Sequence, residues 1–349
     1  MFWASSNRRD KELVKKTKAA YVFPGQGSQT VGMGLDIYEK YPSAKYVFDE
    51  VDRTLGFPLS RLCFEGPEDE LIQTINVQPA VLTVSIAYLK AAEEASGNSL
   101  PFPDVVAGHS LGEYTALVIA GVLSLSDAVR LVRERGRLMT EAGRVRPGGM
   151  AAVLGLDEKT VTDICLSAGT EISNINCPGQ IVVSGAEEKL IDFKRLAEAK
   201  GARRIIPLKV SGAFHSHLMQ PASDGLKNAI SEFTFCEPLV PVVANVTAQM
   251  LIDAQAIKEE LIDQITHCVQ WQRSIENMVA SGVTTFFEIG HGQVLAGLIK
   301  RINPAVQVLN IGDAEVDKQI EKWWVEQRRE QLRTLVEKAI QSEKSSQME

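Results

Sequence analysis

The sequence predicts an α/β fold built on a mostly parallel sheet, and three observations predict it. Across the body of the chain, short apolar runs alternate with amphipathic stretches, the rhythm of buried strands separated by helices. One stretch of about 65 residues breaks that rhythm with the order β-α-β-β-α-β, the split ferredoxin-like unit. Charge crowds the ends: residues 1–18 carry a net +4, residues 313–349 a net −2, and the body between holds −9. The folded body is therefore read as 19–312, flanked by a basic N-terminal extension (1–18) and a charged tail (313–349).

Taken in order, Ala19–Phe23 (AAYVF) reads as a strand ending in the turn-rich PGQGSQ. Val77–Ala92 reads as a long apolar helix. Asp104–Ala107 is a short buried strand, followed by GHSLG and a helix from about Glu113 to Ala120. A further helix, Leu125–Ala142, carries the run RLVRERGRLM. The insert, residues 146–212, follows: strand Met150–Leu156, helix Glu158–Ala168, and a hairpin of Glu171–Asn176 and Gln180–Ser184 around Cys177–Gly179. Helix Glu187–Lys200 and strand Arg203–Val210 complete it, and RPGG and SGA bound it. Three buried strands, Val242–Val246, Thr284–Ile289 and Val306–Ile311, close the body. The core is thus split into 19–145 and 213–312.

Composition excludes several classes. Forty-five per cent hydrophobic residues in 349, with 26 Gly and 14 Pro, rule out collagen-like and disordered chains. A net charge of −7 argues against a nucleic-acid binder, which needs a basic face. No apolar run reaches the roughly 20 residues of a membrane helix, and the basic start lacks the apolar core of a signal peptide. Five cysteines, without CxxC spacing, fit reduced thiols. A cytoplasmic protein is expected.

Gly108-His109-Ser110-Leu111-Gly112 is the sharpest motif. A serine between strand and helix sits in a strained turn, and glycines two residues either side let the chain pass that closely. The helix N-terminus then favours developing negative charge, and the Leu111 N–H points to where an oxyanion forms. A serine nucleophile needs a base. Of the five histidines, His109 lies inside the turn and is read as a brace. His267 lies in a helical stretch, and His291 follows a strand at a turn. His215 sits in GAFHS, where the chain returns from the insert, with His217 two residues on; His215 is favoured, and the alternatives stay open. PGQGSQ lacks both the Walker lysine and the dinucleotide spacing; it reads as a tight turn offering the Gln26 N–H as second oxyanion donor. Arg135, with Arg130, Arg133 and Arg137 around it, belongs either to a solvated basic face or, pointing inward, to a bidentate clamp for a carboxylate.

In this order and spacing, FPGQGSQ, GHSLGEY, Arg135-Gly136, NCPGQ, GAFHS and VQW resemble the malonyl-CoA:acyl carrier protein transacylases of fatty acid synthesis, over about residues 19–312. The resemblance implies a hydrolase-like α/β core with a ferredoxin-like insert, and a dyad of Ser110 and His215 without a carboxylate. It implies that acceptors around Gln270 orient the histidine and that Gln26 and Leu111 supply the oxyanion donors. Arg135 would bind the malonyl carboxylate, and Asn174 and Asn176 would lie near the pantetheine arm. Ala213-Phe214-His215 matches the version that accompanies malonyl rather than methylmalonyl selection. Malonyl-CoA and acyl carrier protein are the implied partners, with no metal or redox cofactor. Gly290-His291-Gly292 departs from the family's usual GPG.

Acyl carrier proteins are acidic, so this acidic body needs a local basic patch to receive one. Arg203, Arg204 and Lys209, ahead of His215, are the expected contacts. In the tail, Val316, Ile320, Trp323, Trp324, Leu332, Leu335, Val336 and Ile340 recur at helical spacing, an amphipathic helix lying on the body or docking a partner. Two other classes remain: a serine hydrolase, which would place an acidic residue between serine and histidine and use no inward arginine, and an idle scaffold.

Overall fold

The computed structural model describes residues 18–98 and 100–313, with single residues up to 333. The basic extension before Lys18 lies outside the described residues. β1 (Lys18–Phe23) leads into α1 (Leu35–Lys40), α2 (Pro42–Leu55), α3 (Leu59–Glu65), α4 (Glu68–Leu71) and the long α5 (Thr74–Ala95). β2 (Val105–Gly108), α6 (Gly112–Ile119) and α7 (Leu125–Val145) follow. Next come β3 (Gly149–Leu154), α8 (Glu158–Ala168), β4 (Glu171–Cys177), β5 (Gln180–Gly185), α9 (Glu187–Ala199) and β6 (Arg204–Pro207). The last part runs α10 (Gln220–Ile230), β7 (Val242–Val243), β8 (Met250–Leu251), α11 (Ala254–Gln264), α12 (Trp271–Ala280), β9 (Val283–Ile289), α13 (Val294–Ile302) and β10 (Gln307–Ile311).

Two sheets result. The larger has the order β10-β9-β1-β2-β7-β8 and is parallel except for β8, which returns antiparallel on β7. Ala19 to Phe23 are all buried, as a central strand covered by helices on both faces requires. The smaller sheet, β4-β5-β3-β6, is antiparallel throughout, with α8 and α9 packed on it around their own apolar cluster.

Helix α7 shows how sequence sets position. Ser124 caps it by accepting the Asp127 N–H. Ala128, Leu131, Val132, Leu138, Met139 and Ala142 form a buried stripe at three- and four-residue spacing. Arg135 occupies the centre of that stripe.

Two strands are shorter than the sequence predicts. Val242–Val246 pairs only through Val243, because Asn245 turns away to bond the Ser110 segment. Arg203–Val210 forms a regular strand only from Arg204 to Pro207 on a sheet edge, although the Arg203 and Leu208 N–H groups at its two ends still donate to the Leu154 and Met150 carbonyls of β3. Of the tail, Ile320 is 4% exposed and joins the main core. Val316, Trp323, Trp324, Leu332, Leu335, Val336 and Ile340 lie outside the described residues. Among the described residues no helix is long and apolar enough to cross a membrane, and no cluster of potential metal ligands occurs.

Candidate active site

Ser110 stands between β2 and α6 with φ of 51°, in the left-handed region that a non-glycine residue enters at a cost of about 1–3 kcal/mol. Glycine is obligatory on either side. A Cβ at Gly108 would lie 1.8 Å from the Gly112 carbonyl carbon, and one at Gly112 would lie 2.1 Å from the Phe23 oxygen. Asn245 clamps the strained turn from the neighbouring strand. Its Oδ1 accepts the Ser110 N–H at 2.7 Å, and its Nδ2 donates to the Gly108 carbonyl at 2.7 Å.

His215 also has a left-handed backbone, φ 56°, and is buried. Its Nε2 lies 2.8 Å from Ser110 Oγ, and its Nδ1 lies 2.7 Å from the main-chain oxygen of Gln264. A carbonyl only accepts, so Nδ1 carries the hydrogen and Nε2 presents a lone pair to the serine hydroxyl. That carbonyl closes α11, whose unsatisfied C-terminal oxygens and negative dipole end favour a positive imidazolium during reaction. Burial first, and then the Arg135 charge, push the resting imidazole down to about 3, so it stands ready as the neutral base.

The orienting acceptor expected around Gln270 is this Gln264 carbonyl, and not the side chain of Gln270 itself. Gln270 precedes α12, where its side chain accepts from Arg273 and its N–H donates to the Asn245 carbonyl. Six residues of chain separate it from the helix end that does reach the imidazole.

Arg135 is 1% exposed. Nη1 donates to Gln78 Oε1 at 2.8 Å; Nη2 donates to Gln264 Oε1 at 2.8 Å and to Ser110 Oγ at 3.3 Å. Its Nε has no partner among the described residues. Tyr114 offers its ring at 5.3 Å, a cation–π contact. A fixed cation with spare donors beside a nucleophile is built to receive an anion.

Both surfaces line one cleft of about 270 Å³, together with Gln26, Leu111, Asn174 and Asn176. Neither the Gln26 nor the Leu111 N–H donates to another described residue, so both are available to an oxyanion. Asn176 Oδ1 bonds His109 Nε2 at 2.9 Å, so His109 ties the serine turn to β4. The Ile175 N–H donates to the Val269 carbonyl and the Val269 N–H to that of Ser173, which ties β4 to the segment between α11 and α12 beside Asn174. His291 bonds Thr30 Oγ1, His217 pairs with Glu171, and His267 follows α11. Arg203, Arg204 and Lys209 are exposed and do not line the cleft, although Leu208 and Val210, on either side of Lys209, do. Gln264, Asn245, Gln78 and Glu113 join the site without having been read from the sequence.

Residues 20–340 match the acyl transferase domain family. The malonyl CoA-acyl carrier protein transacylase of Bacillus subtilis is 48% identical over 86% of this chain and 95% of its own. The chain belongs to the malonyl-CoA:acyl carrier protein transacylase family. As a member it is an acyltransferase, and the Escherichia coli transacylase is 44% identical over 82% of this chain and 93% of its own. Among solved structures, the acyl-carrier-protein S-malonyltransferase of Bartonella henselae superposes with a TM-score of 0.84 at 44% identity, covering 88% of this chain and 99% of that one. A malonyl-transacylase solved in complex with its type II PKS acyl-carrier protein has a TM-score of 0.83 at 37% identity, covering 86% of this chain and 98% of that one.

Proposed function

We propose that the protein moves a malonyl group from malonyl-CoA to the phosphopantetheine thiol of an acyl carrier protein through a malonyl-serine intermediate. One observation carries this reading: Ser110 Oγ touches both a base, His215 Nε2 at 2.8 Å, and a buried cation, Arg135 Nη2 at 3.3 Å.

His215 takes the Ser110 proton as Oγ bonds to the thioester carbon. The Gln26 and Leu111 N–H groups hold the oxyanion. The intermediate collapses with loss of the C–S bond, and the imidazolium returns its proton to the departing coenzyme A sulfur. The carrier's thiol then attacks the malonyl ester, giving its proton to His215, and the serine oxygen recovers that proton as it leaves. Arg135 holds the malonyl carboxylate throughout, and Asn174 and Asn176 line the path of the pantetheine arm. The steps call on side chains and main-chain amides alone, with no metal or redox cofactor. An acidic carrier is received over the exposed Arg203, Arg204 and Lys209 edge, next to the cleft wall formed by Leu208 and Val210.

Labelled malonyl-CoA tests the reading. A burst of protein-bound label in the parent enzyme, its passage to added holo carrier protein, and its absence in Ser110→Ala are expected. Release of malonate to water at the same rate with and without carrier would instead assign a hydrolase.

A further inference from the structure

Arg135 is held by two glutamine side chains, and an amide oxygen faces it in both cases. For Gln264 the choice of end matters, since amide O and NH₂ have the same shape and opposite polarity. Its amide nitrogen points the other way and donates to Glu113 Oε2 at 2.6 Å and to the Ser110 carbonyl at 2.9 Å. Turned over, the amide would aim its N–H groups at guanidinium N–H groups and its oxygen at the Ser110 carbonyl. Glu113 is the side chain that opposes this turn. It leaves the first turn of α6, three residues after Ser110, and is 1% exposed.

Resting on the malonyl-transfer reading, we propose that Glu113 is a positioning residue for acyl selection: it locks the Gln264 amide with its oxygen toward Arg135 and so fixes the guanidinium that receives the acyl carboxylate. Its own charge does not compete. Burial, with Glu260 beside it, pushes the Glu113 carboxyl well above the usual carboxylate range. A neutral acid accepts from the amide nitrogen through its C=O oxygen, alongside the Ser110 carbonyl, which can only accept, and leaves the arginine charge uncompensated for the substrate. Because the main-chain carbonyl of Gln264 orients His215, a disturbed Gln264 backbone would lower all acyl transfers together. A disturbed Gln264 side chain acts chiefly on charged acyl groups, through Arg135.

The readout is therefore the ratio of kcat/KM for serine loading from malonyl-CoA and from acetyl-CoA. Glu113→Leu removes the acceptor at similar volume and should lower the malonyl-to-acetyl ratio at least about tenfold, the loss of one charge-linked hydrogen bond. Glu113→Gln keeps a carbonyl oxygen in place and should stay within about threefold of the parent ratio. In an Arg135→Ala background, Glu113→Leu should leave the ratio unchanged. Glu113→Met serves as a second apolar replacement, with melting temperatures recorded for each. An unchanged ratio in the folded Leu or Met variant, an equal fall of both substrates, or failure of both apolar variants to fold would overturn the assignment. A parent enzyme that loads no malonyl on Ser110 would instead overturn the transfer reading.

Discussion

Helix α7 carries two arginines two residues apart with opposite fates. Arg137, on the outer face, is 42% exposed and makes ion pairs with Glu134 and Glu141. Arg135, on the inner face, is sealed among apolar neighbours and meets amide oxygens, a hydroxyl and a ring, with no carboxylate in hydrogen-bond contact. The outer arrangement is what solvent makes of an arginine on a helix, and each such pair is worth little. The inner one leaves a desolvated cation unpaired by charge, which a fold retains at net cost unless a ligand completes it. The same residue type thus meets carboxylates and solvent on one face and, on the other, a buried polar site beside Ser110.

Replacement of the inner arginine should give the largest effect. Arg135→Ala should slow malonyl loading by about a hundredfold or more, the equivalent of one or two charge-assisted hydrogen bonds. Acetyl loading, which in the proposed mechanism calls on Ser110, His215 and the two amides but not on Arg135, should fall little or rise. Equal loss of both with the fold intact would break the contrast and make Arg135 structural. Arg135→Lys sharpens it: a point ammonium cannot span Gln78 and Gln264 together, so about a tenth of malonyl activity should return. Charge reversal at Arg203 and Arg204 should raise the KM for carrier protein severalfold and leave loading from coenzyme A intact, measured by following the two half-reactions separately.

Titration extends the contrast to the buried base. The native His215 pKa is depressed to about 3, so loading should show no acid limb near pH 6.5, the value of an ordinary imidazole. The unfolded chain binds this proton from about pH 6.5 downward while the native state refuses it until about pH 3. This residue therefore lowers stability as pH falls through that window, and the loss is absent above it. Paired rate and melting profiles between pH 5 and 8 check both signs. Smallest of all, Arg137→Ala should change stability by no more than about 0.5 kcal/mol in a denaturant titration and leave both acyl rates alone.

What was legible in the sequence was local. The glycines around Ser110, the apolar run of β1 and the stripe of α7 are each decided within a few residues, so spacing betrays them. The four unread residues act across distance: Gln264 reaches the Ser110 carbonyl over 154 positions, and Asn245 reaches the Ser110 N–H over 135. A lone Gln or Asn in a helix end or strand exit carries no mark of such a partner. Gln270 marked the neighbourhood without being the acceptor. It lies in a recognisable VQW run, yet the useful acceptor is the final carbonyl of α11, and every residue type has one. The direction of Arg135 was left open by its basic neighbours and was settled only by the apolar positions around it on the helix.

The chain enters β3 and leaves β6 at nearly the same point: a Cβ at Gly148 would sit 3.0 Å from that of Ala213. Ser110 and His215 are 105 positions apart in the chain, but a folded smaller sheet joins its own two ends and acts as a short link between them. The entropy of bringing Ser110 and His215 together then corresponds to a loop of about 40 residues rather than the full separation, a saving of the order of 1 kcal/mol. Assembly order follows. A chain that closes its insert first finds its dyad by a shorter search, and lesions confined to the apolar cluster under α8 and α9 should slow the recovery of activity during refolding even though none of those residues touches the cleft.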